Sequence, residues 1–306
     1  MKFYLCFCFY LRLCVAGLLT LLFVDCSKET DTVVEDDKFR PTEQVLSSFD
    51  ARYPNAKEVD WSLEEGYYVA DFVLDSKAAS AWFGKNGEWT LGRIPASYSE
   101  QVEPIVSESL SRTAYAAWEV KGAYVLNRKQ LTPVYSVNVT NSRISSNLYF
   151  TQYGDFIKVI DDVNNRTDMP VVIPSALMNA IDNLFADIDI VDVSVIDVIN
   201  SEISVGMLQS ETYLTSIFNK NYTWIVNFWN MTQQTIPQKV WNGFKSSPYA
   251  DLPLSRIRSM ESASATTYLF YLIRDNKTVI AEFNNDGRPT TVISREHVMA
   301  KYLLTI

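Results

Sequence analysis

Trp82-Phe83-Gly84-Lys85-Asn86-Gly87-Glu88-Trp89 returns three times in altered form. The later copies are Tyr149-Phe150-Thr151-Gln152-Tyr153-Gly154-Asp155-Phe156, Ile217-Phe218-Asn219-Lys220-Asn221-Tyr222-Thr223-Trp224 and Glu282-Phe283-Asn284-Asn285-Asp286-Gly287-Arg288-Pro289. The anchor phenylalanines Phe83, Phe150, Phe218 and Phe283 are 67, 68 and 65 residues apart. A near-constant period marks a structural unit used repeatedly. Each copy sets an aromatic four positions before a turn residue, which is glycine at 87, 154 and 287. Asn-Gly and Asp-Gly suit hairpins because the turn needs positive φ. Tyr222 breaks the pattern, after an Asn221 that itself tolerates a left-handed conformation. Pro289 follows the last turn and fits only an edge or irregular strand.

The beginning of each unit also recurs: Pro41-Thr42-Glu43-Gln44-Val45, Ile94-Pro95-Ala96-Ser97-Tyr98, Ile173-Pro174-Ser175-Ala176-Leu177 and Ile236-Pro237-Gln238-Lys239-Val240. Proline favours the first turn of a helix. Apolar residues then follow at helical spacing: Val45, Leu46 and Phe49; Leu177, Ile181 and Leu184; Val240 and Phe244. The spacing predicts short amphipathic helices, each leading into strands. Tyr67–Leu74 and Ala78–Phe83 flank Asp75-Ser76-Lys77; Val134–Val139 and Leu148–Phe150 flank a polar loop; Thr266–Arg274 and Thr278–Phe283 flank Asp275-Asn276-Lys277. Alternation in Tyr68–Leu74 is only partial, as expected of a sheet with a helix on one face and a partly apolar face opposite. The fold class expected is α+β, with tandem repeats of a short helix followed by an antiparallel sheet.

With 306 residues, 47% of them hydrophobic, the chain can build one or two domains with real cores. The net charge of −9 and the lack of a basic stripe argue against a nucleic-acid partner. All four cysteines (Cys6, Cys8, Cys14 and Cys26) fall in the first 26 residues, so a disulfide scaffold, thiol nucleophile or cysteine metal site is not expected in the folded body. Lys2 and Arg12 precede the apolar run Leu13–Val24, and the polar run Asp25–Lys38 follows. A 12-residue apolar run suits a signal peptide better than a membrane span. Cys26 stands where a bacterial lipoprotein signal carries its lipidated cysteine, with Phe23-Val24-Asp25 in place of the usual small residue. A lipoprotein is expected, and more than one acyl chain gives stable anchoring. An uncleaved anchor and a simple secreted protein are the alternatives.

The organisation expected is a signal peptide over 1–25 and an acidic tether over 26–40, then domains 41–166 and 167–306 of two units each. The units run about 41–92, 93–162, 171–231 and 235–293, with a polar break at 161–168 and a closing helix over Ser294–Leu303.

Phe49-Asp50-Ala51-Arg52-Tyr53-Pro54-Asn55-Ala56-Lys57-Glu58-Val59-Asp60-Trp61 resembles the start of the PepSY-like, β-lactamase-inhibitor-like (BLIP-like) family. The likeness continues through Gly66–Phe72 to Ala81-Trp82-Phe83 and Gly87-Glu88-Trp89, and is clearest over 42–92. Unit four keeps a fainter version, with Val240, Phe244, Ser247-Pro248-Tyr249-Ala250 and the Asn285-Asp286-Gly287 turn. Units two and three depart from it. The resemblance implies two BLIP-like domains and an envelope protein of Gram-negative bacteria. It does not imply β-lactamase inhibition, and no inhibitory residues are carried over.

Catalytic signals are weak. His297 is the single histidine, and no nucleophile elbow, phosphate-binding glycine loop or zinc spacing accompanies it. Asp187-Ile188-Asp189-Ile190-Val191-Asp192 looks like an ion site, but its Ile and Val suit a strand with one wet face. Asn284-Asn285-Asp286-Gly287 lacks the distant Glu of a calcium loop, since position 293 is Ile. Glu64-Glu65-Gly66 reads as a turn, not a carboxylate pair across a cleft. No enzyme, cofactor or metal is expected. The aromatics of the strands are the candidate binding surface: Trp61, Tyr67, Trp82 and Trp89, with Tyr222, Trp224 and Trp229. Core packing is the competing reading of each. The functional expectation is a non-enzymatic, lipid-anchored envelope protein, in the outer membrane and facing periplasm or surface, that binds a partner protein or peptide through aromatic-bearing sheets. A glycan-binding surface lipoprotein is the alternative.

Overall fold

The computed structural model describes residues 39–161, 168–197, 201–274 and 277–294. The signal peptide, Cys26, His297 and most of the expected closing helix lie outside them.

The described chain forms two antiparallel sheets of eight strands. Helix α1 (Glu43–Arg52) leads into β1 (Lys57–Glu64), β2 (Tyr67–Leu74), β3 (Lys77–Phe83) and β4 (Trp89–Ala96). A π-helical turn over Tyr98–Val102 and α2 (Glu103–Ser111) precede β5 (Glu119–Arg128), β6 (Leu131–Thr140), β7 (Ser145–Phe150) and β8 (Phe156–Asp161). Helix α3 (Ser175–Leu184) precedes β9 (Ile188–Asp197), β10 (Glu202–Gln209), β11 (Thr212–Phe218) and β12 (Trp224–Met231). Helix α4 (Gln238–Lys245) precedes β13 (Leu254–Ser262), β14 (Thr266–Arg274), β15 (Lys277–Asn284) and β16 (Pro289–Ser294). Strands β1 to β8 pair in chain order in one sheet, and β9 to β16 in the other.

The second helix differs from expectation. Pro95 lies within β4, opposite Tyr124 of β5, and the helix begins only at Glu103 with a proline in its first turn. Continuing β4 to Ala96 lets it pair with β5 and join two four-strand runs into one sheet. Thr42 caps α1, its Oγ1 accepting from the Val45 N–H at 3.4 Å. Pro174 and Pro237 occupy the N-caps of α3 and α4. Pro289 opens β16, an edge strand that needs no donor on its outer side.

Each helix buries two side chains against its strands. Val45 and Phe49 meet Phe72, Ala81 and Phe83; Val106 and Leu110 meet Val137, Leu148 and Phe150. Leu177 and Ile181 meet Met207, Leu214 and Phe218; Val240 and Phe244 meet Phe270 and Phe283. Leu184, in helical phase with these, is exposed at the end of α3.

The hairpin glycines press on the helices. Gly87, Gly154 and Gly287 have φ of 76°, 88° and 77°. A Cβ on Gly154 would lie 2.2 Å from the Ile105 carbonyl oxygen of α2, and one on Gly287 2.2 Å from that of Lys239 in α4. A Cβ on Gly87 would lie 2.9 Å from the Gln44 carbonyl oxygen of α1. These positions need both left-handed backbone and the absence of a side chain. In the third copy Tyr222 takes φ 60° itself, and its ring packs against the α3 core.

Opposite the helices, Leu126, Val134, Tyr149 and Ile157 of the first sheet meet Val191, Leu208 and Tyr213 of the second. An ionic cluster sits in this seam. Arg128 Nη1 donates to Asp192 Oδ1 at 3.1 Å, Lys158 Nζ to the same oxygen at 2.9 Å, and Ser194 Oγ to Oδ2 at 2.8 Å. Arg128 also donates to the Val191 carbonyl. The wet-face reading of Asp187–Asp192 is corrected at its last residue. Ile190 pairs with Met207 and Asp192 with Gly206, leaving Val191 bulged. The bulge turns Asp192 into the seam. Burial raises the Asp192 pKa, but the Lys158 and Arg128 charges and the bonds from Lys158 and Ser194 outweigh it and hold it below its usual value.

Gly66 also has φ 88°, but nothing lies within 4 Å of its would-be Cβ. Gly66→Ala should therefore cost about 1 kcal/mol of backbone strain, and Gly154→Ala about 3 kcal/mol because α2 must also shift. Equal costs in chemical denaturation would refute the packing role. Asp192→Asn should lower stability at pH 7 by about 3 kcal/mol by leaving buried cations unpaired. Because the native pKa is depressed, the wild-type advantage is complete above the unfolded carboxylate value of about 3.9 and fades as pH falls through the lower native value. A gap between wild type and variant that stays constant from neutral pH to pH 2 would contradict the assignment.

Candidate binding cleft

The seven aromatics do not form one surface. Trp61 and Trp89 pack against the α1 core, and Tyr222, Trp224 and Trp229 against the α3 core. Trp61 stacks edge-on to Phe49 with centroids 5.2 Å apart. Trp89 donates Nε1 to the Tyr53 hydroxyl at 3.1 Å, under the Arg52 guanidinium at 3.6 Å. Trp224 Nε1 donates to Asn227 Oδ1 at 2.8 Å. Tyr67 and Trp82 lie on the helix-free face of the first sheet, with Val69 and Leu91. The other five rings are partly exposed although they pack on the helix side, because the units are small and their helices short.

Trp229 alone of the seven borders a cleft of about 840 Å³. One wall is the end of α2 and the β7–β8 turn, with Arg112 and Asp155. The facing wall is the end of β12, its loop to α4 and the start of β13, with Trp229, Asn230, Gln233, Gln234 and Arg256; Trp241 of α4 adds a second indole. Two bonds span the cleft: Ser255 Oγ donates to the Arg112 carbonyl at 2.8 Å, and Asn230 Nδ2 to Asp155 Oδ1 at 2.9 Å. Asn230 Oδ1 is buried without a partner among the described residues. Trp229 Nε1 donates to Glu261 Oε2 at 3.2 Å.

Two cationic side chains of β13 lie side by side on one face. The Arg256 guanidinium is 4.5 Å from the Tyr271 ring centre and lines the cleft. Arg258 is 1% exposed, donating Nη2 to Thr215 Oγ1 at 2.8 Å and to the Phe228 carbonyl at 2.7 Å. Burial and the charge of Arg256 lower its pKa to about 10, so it remains a cation at neutral pH. No carboxylate pairs with it among the described residues.

The volume falls in the range of ligand sites, and the lining residues include tryptophans, amides and both signs of charge. Such a lining can hold a peptide or a sugar by hydrogen bonds and stacking. Among the described residues no group of three or more His, Cys, Asp or Glu is arranged to hold a metal ion. Sequence reasoning missed Trp241, Gln233, Gln234 and Arg256, whose convergence comes from elements far apart in the chain. The Gln233-Gln234 pair beside Trp229 was the available signal.

Residues 66–158 match the family described as "Putative beta-lactamase-inhibitor-like, PepSY-like". The match runs through unit two, where only the repeat spacing was visible in the sequence. Among solved structures, a BLIP-like protein from Bacteroides fragilis is 24% identical, covering 44% of this chain and 97% of its own, with a TM-score of 0.39. A putative periplasmic protein from Bacteroides eggerthii is 20% identical over 42% of this chain and 94% of its own, also at 0.39. A DUF2874 family protein from Bacteroides ovatus is 25% identical over 40% and 89%, at 0.37. No curated protein matches the chain. Over residues 66–158, the chain carries a domain of the PepSY-like, beta-lactamase-inhibitor-like family.

Proposed function

We propose that this is a non-enzymatic, lipid-anchored protein of the bacterial envelope that binds a segment of a partner protein or peptide in the cleft beside Trp229 and Trp241. The cleft carries the proposal, because it joins indole surface to amide and charged groups at an opening sized for a ligand. The family of residues 66–158 supports a binding role, and the apolar leader with Cys26 supports an anchored one. The Bacteroides eggerthii neighbour is described as periplasmic, in keeping with an envelope location, outer membrane on this reading. Among the described residues no helix is long and apolar enough to cross a membrane. The chain is read as a signal peptide, a tether and two BLIP-like domains, 41–166 and 167–306, each from two helix-then-strand units. The partner-binding surface moves from the sheet faces to the cleft, since most of the strand aromatics pack under helices.

A glycan is the second reading, favoured by Gln233 and Gln234 beside two indoles. Selection of a displayed random peptide library on the purified protein separates the two. Enriched peptides should lose at least about tenfold in affinity, or about 1.4 kcal/mol, with Gln234→Ala or Arg256→Ala, and be unaffected by Lys85→Ala on a distant turn. No enrichment, or binding insensitive to both cleft changes, would sink the peptide reading. Glycan-array binding lost in the same variants would replace it with the second.

A further inference from the structure

A separate cavity of about 410 Å³ opens at the outer end of the first sheet and shares no lining residue with the cleft. Its floor follows one row across four strands. Asp60 of β1 pairs with Asp71 of β2, Asp71 with Ser80 of β3, and Ser80 with Arg93 of β4. Cross-strand partners share a face with Cβ atoms about 5 Å apart, so Asp60 and Asp71 lie side by side on that face. A bulge in β1 between Lys57 and Asp60 places Glu58, at φ 52°, on the same cavity.

The positive end of the row is already engaged. Arg93 Nε donates to Asp168 Oδ2 at 3.1 Å, its guanidinium lies 3.2 Å from the Tyr124 ring centre, and Asp168 Oδ1 accepts from the Tyr149 hydroxyl at 2.7 Å. At the other end, Ser80 Oγ donates to Asp71 Oδ1 at 2.6 Å. Among the described residues Glu58 and Asp60 make no ion pair. The carboxylates are not arranged to hold a metal ion. Their geometry suits a cation that brings its own donors and apolar stem, and Val73 and Ala78 supply apolar wall.

Trp82 is the independent observation. It lines the cavity, is 2% exposed, and its indole N–H has no acceptor among the described residues. A buried donor left unpaired costs about 1–3 kcal/mol, so an acceptor brought by a ligand is favoured there. The cavity therefore asks for a cation and, close to it, an oxygen acceptor. A free polyamine supplies only the first; a lysine or arginine residue within a peptide supplies both, its carbonyl being the acceptor.

We propose that this cavity takes a lysine or arginine side chain of a partner peptide, its charged head at Asp60 and Glu58 and a neighbouring carbonyl at the Trp82 N–H. Calorimetric titration of the full chain with acetyl-Ala-Lys-Ala-amide, its norleucine counterpart and spermidine tests this. The lysine peptide should bind and weaken with added salt, and the norleucine peptide should not. Glu58→Gln with Asp60→Asn, both exposed, should weaken the lysine peptide at least tenfold. Trp82→Phe should weaken the peptide several-fold and leave spermidine unchanged. Thermal melts of each variant identify loss of folding, and the double rim variant decides the matter if Trp82→Phe does not fold. Equal binding of the norleucine peptide, or no effect of the rim variant, would overturn the proposal. Spermidine binding as tightly as the peptide would overturn the peptide as occupant. The cleft reading is tested by its own variants on library-selected peptides, so failure here and failure of the cleft reading are told apart.

Discussion

The fold depends on hairpin turns that lie directly on helix backbone. At Gly154 and Gly287 the turn backbone comes so close to a helical carbonyl that no side chain fits between them. In the fourth unit the contact is closed from both sides, since a Cβ on Gly243 of α4 would meet the Gly287 carbonyl oxygen at 1.9 Å. This contact sets the height of each helix above its strands. With α1, α3 and α4 no longer than ten residues, there is little other surface to fix that height. Two or three rings then suffice as a core, as where Phe244 stacks on Phe270 with centroids 4.3 Å apart and Phe283 closes edge-on. Tyr222 shows another solution, in which a non-glycine residue accepts the left-handed backbone and offsets its strain by packing its own ring.

With helices on one face only, eight strands leave a second face to be covered. The two sheets cover part of it for one another, and the seam carries charge as well as apolar surface. Asp192 with Arg128 and Lys158 is a compact solution, because one carboxylate meets two cations and a hydroxyl. Arg258 is handled differently: its cation is met by a hydroxyl, a carbonyl and the rings of Tyr213 and Phe228, at 5.9 and 5.2 Å. Ring faces offer a desolvated guanidinium part of what a carboxylate would, without adding a second buried ion. Orientation is what such groups add, since a hydrogen-bonded ion in a seam tolerates little sliding.

The local pattern of the fold was legible. Residues 67–74 and 266–274 emerge as strands with the expected bounds, and Val45, Phe49, Leu177, Ile181, Val240 and Phe244 are the buried helix positions. What stayed hidden depends on pairing over distance. Pro95 looked like a helix start because proline favours both a first turn and a strand that can spare a donor, and only the pairing of β4 with β5 decides between them. Asp192 looked solvated because strand alternation assumes an unbroken ladder, and the bulge at Val191 shifts its phase. The candidate site was less legible still. Trp229 was in view, but the residues beside it come from α2, a hairpin turn and β13, brought together only by the meeting of the two sheets.

The aromatic residues carry the same lesson into function. A tryptophan in a strand has two destinations, and in units this small the helix-side core claims most of them, with ring edges left in view. The openings lie instead where regular packing runs out: the ends of sheets, loops leading into helices, and a bulged edge strand. Both cavities are of this kind. One gathers indoles and amides where α2 comes near β12 and β13; the other gathers carboxylates where β1 bulges. The residues overlap with those that fix the fold: Trp229 and Trp241 pack against helix-side cores and also border the cleft, and Asp155 belongs to the Gly154 turn.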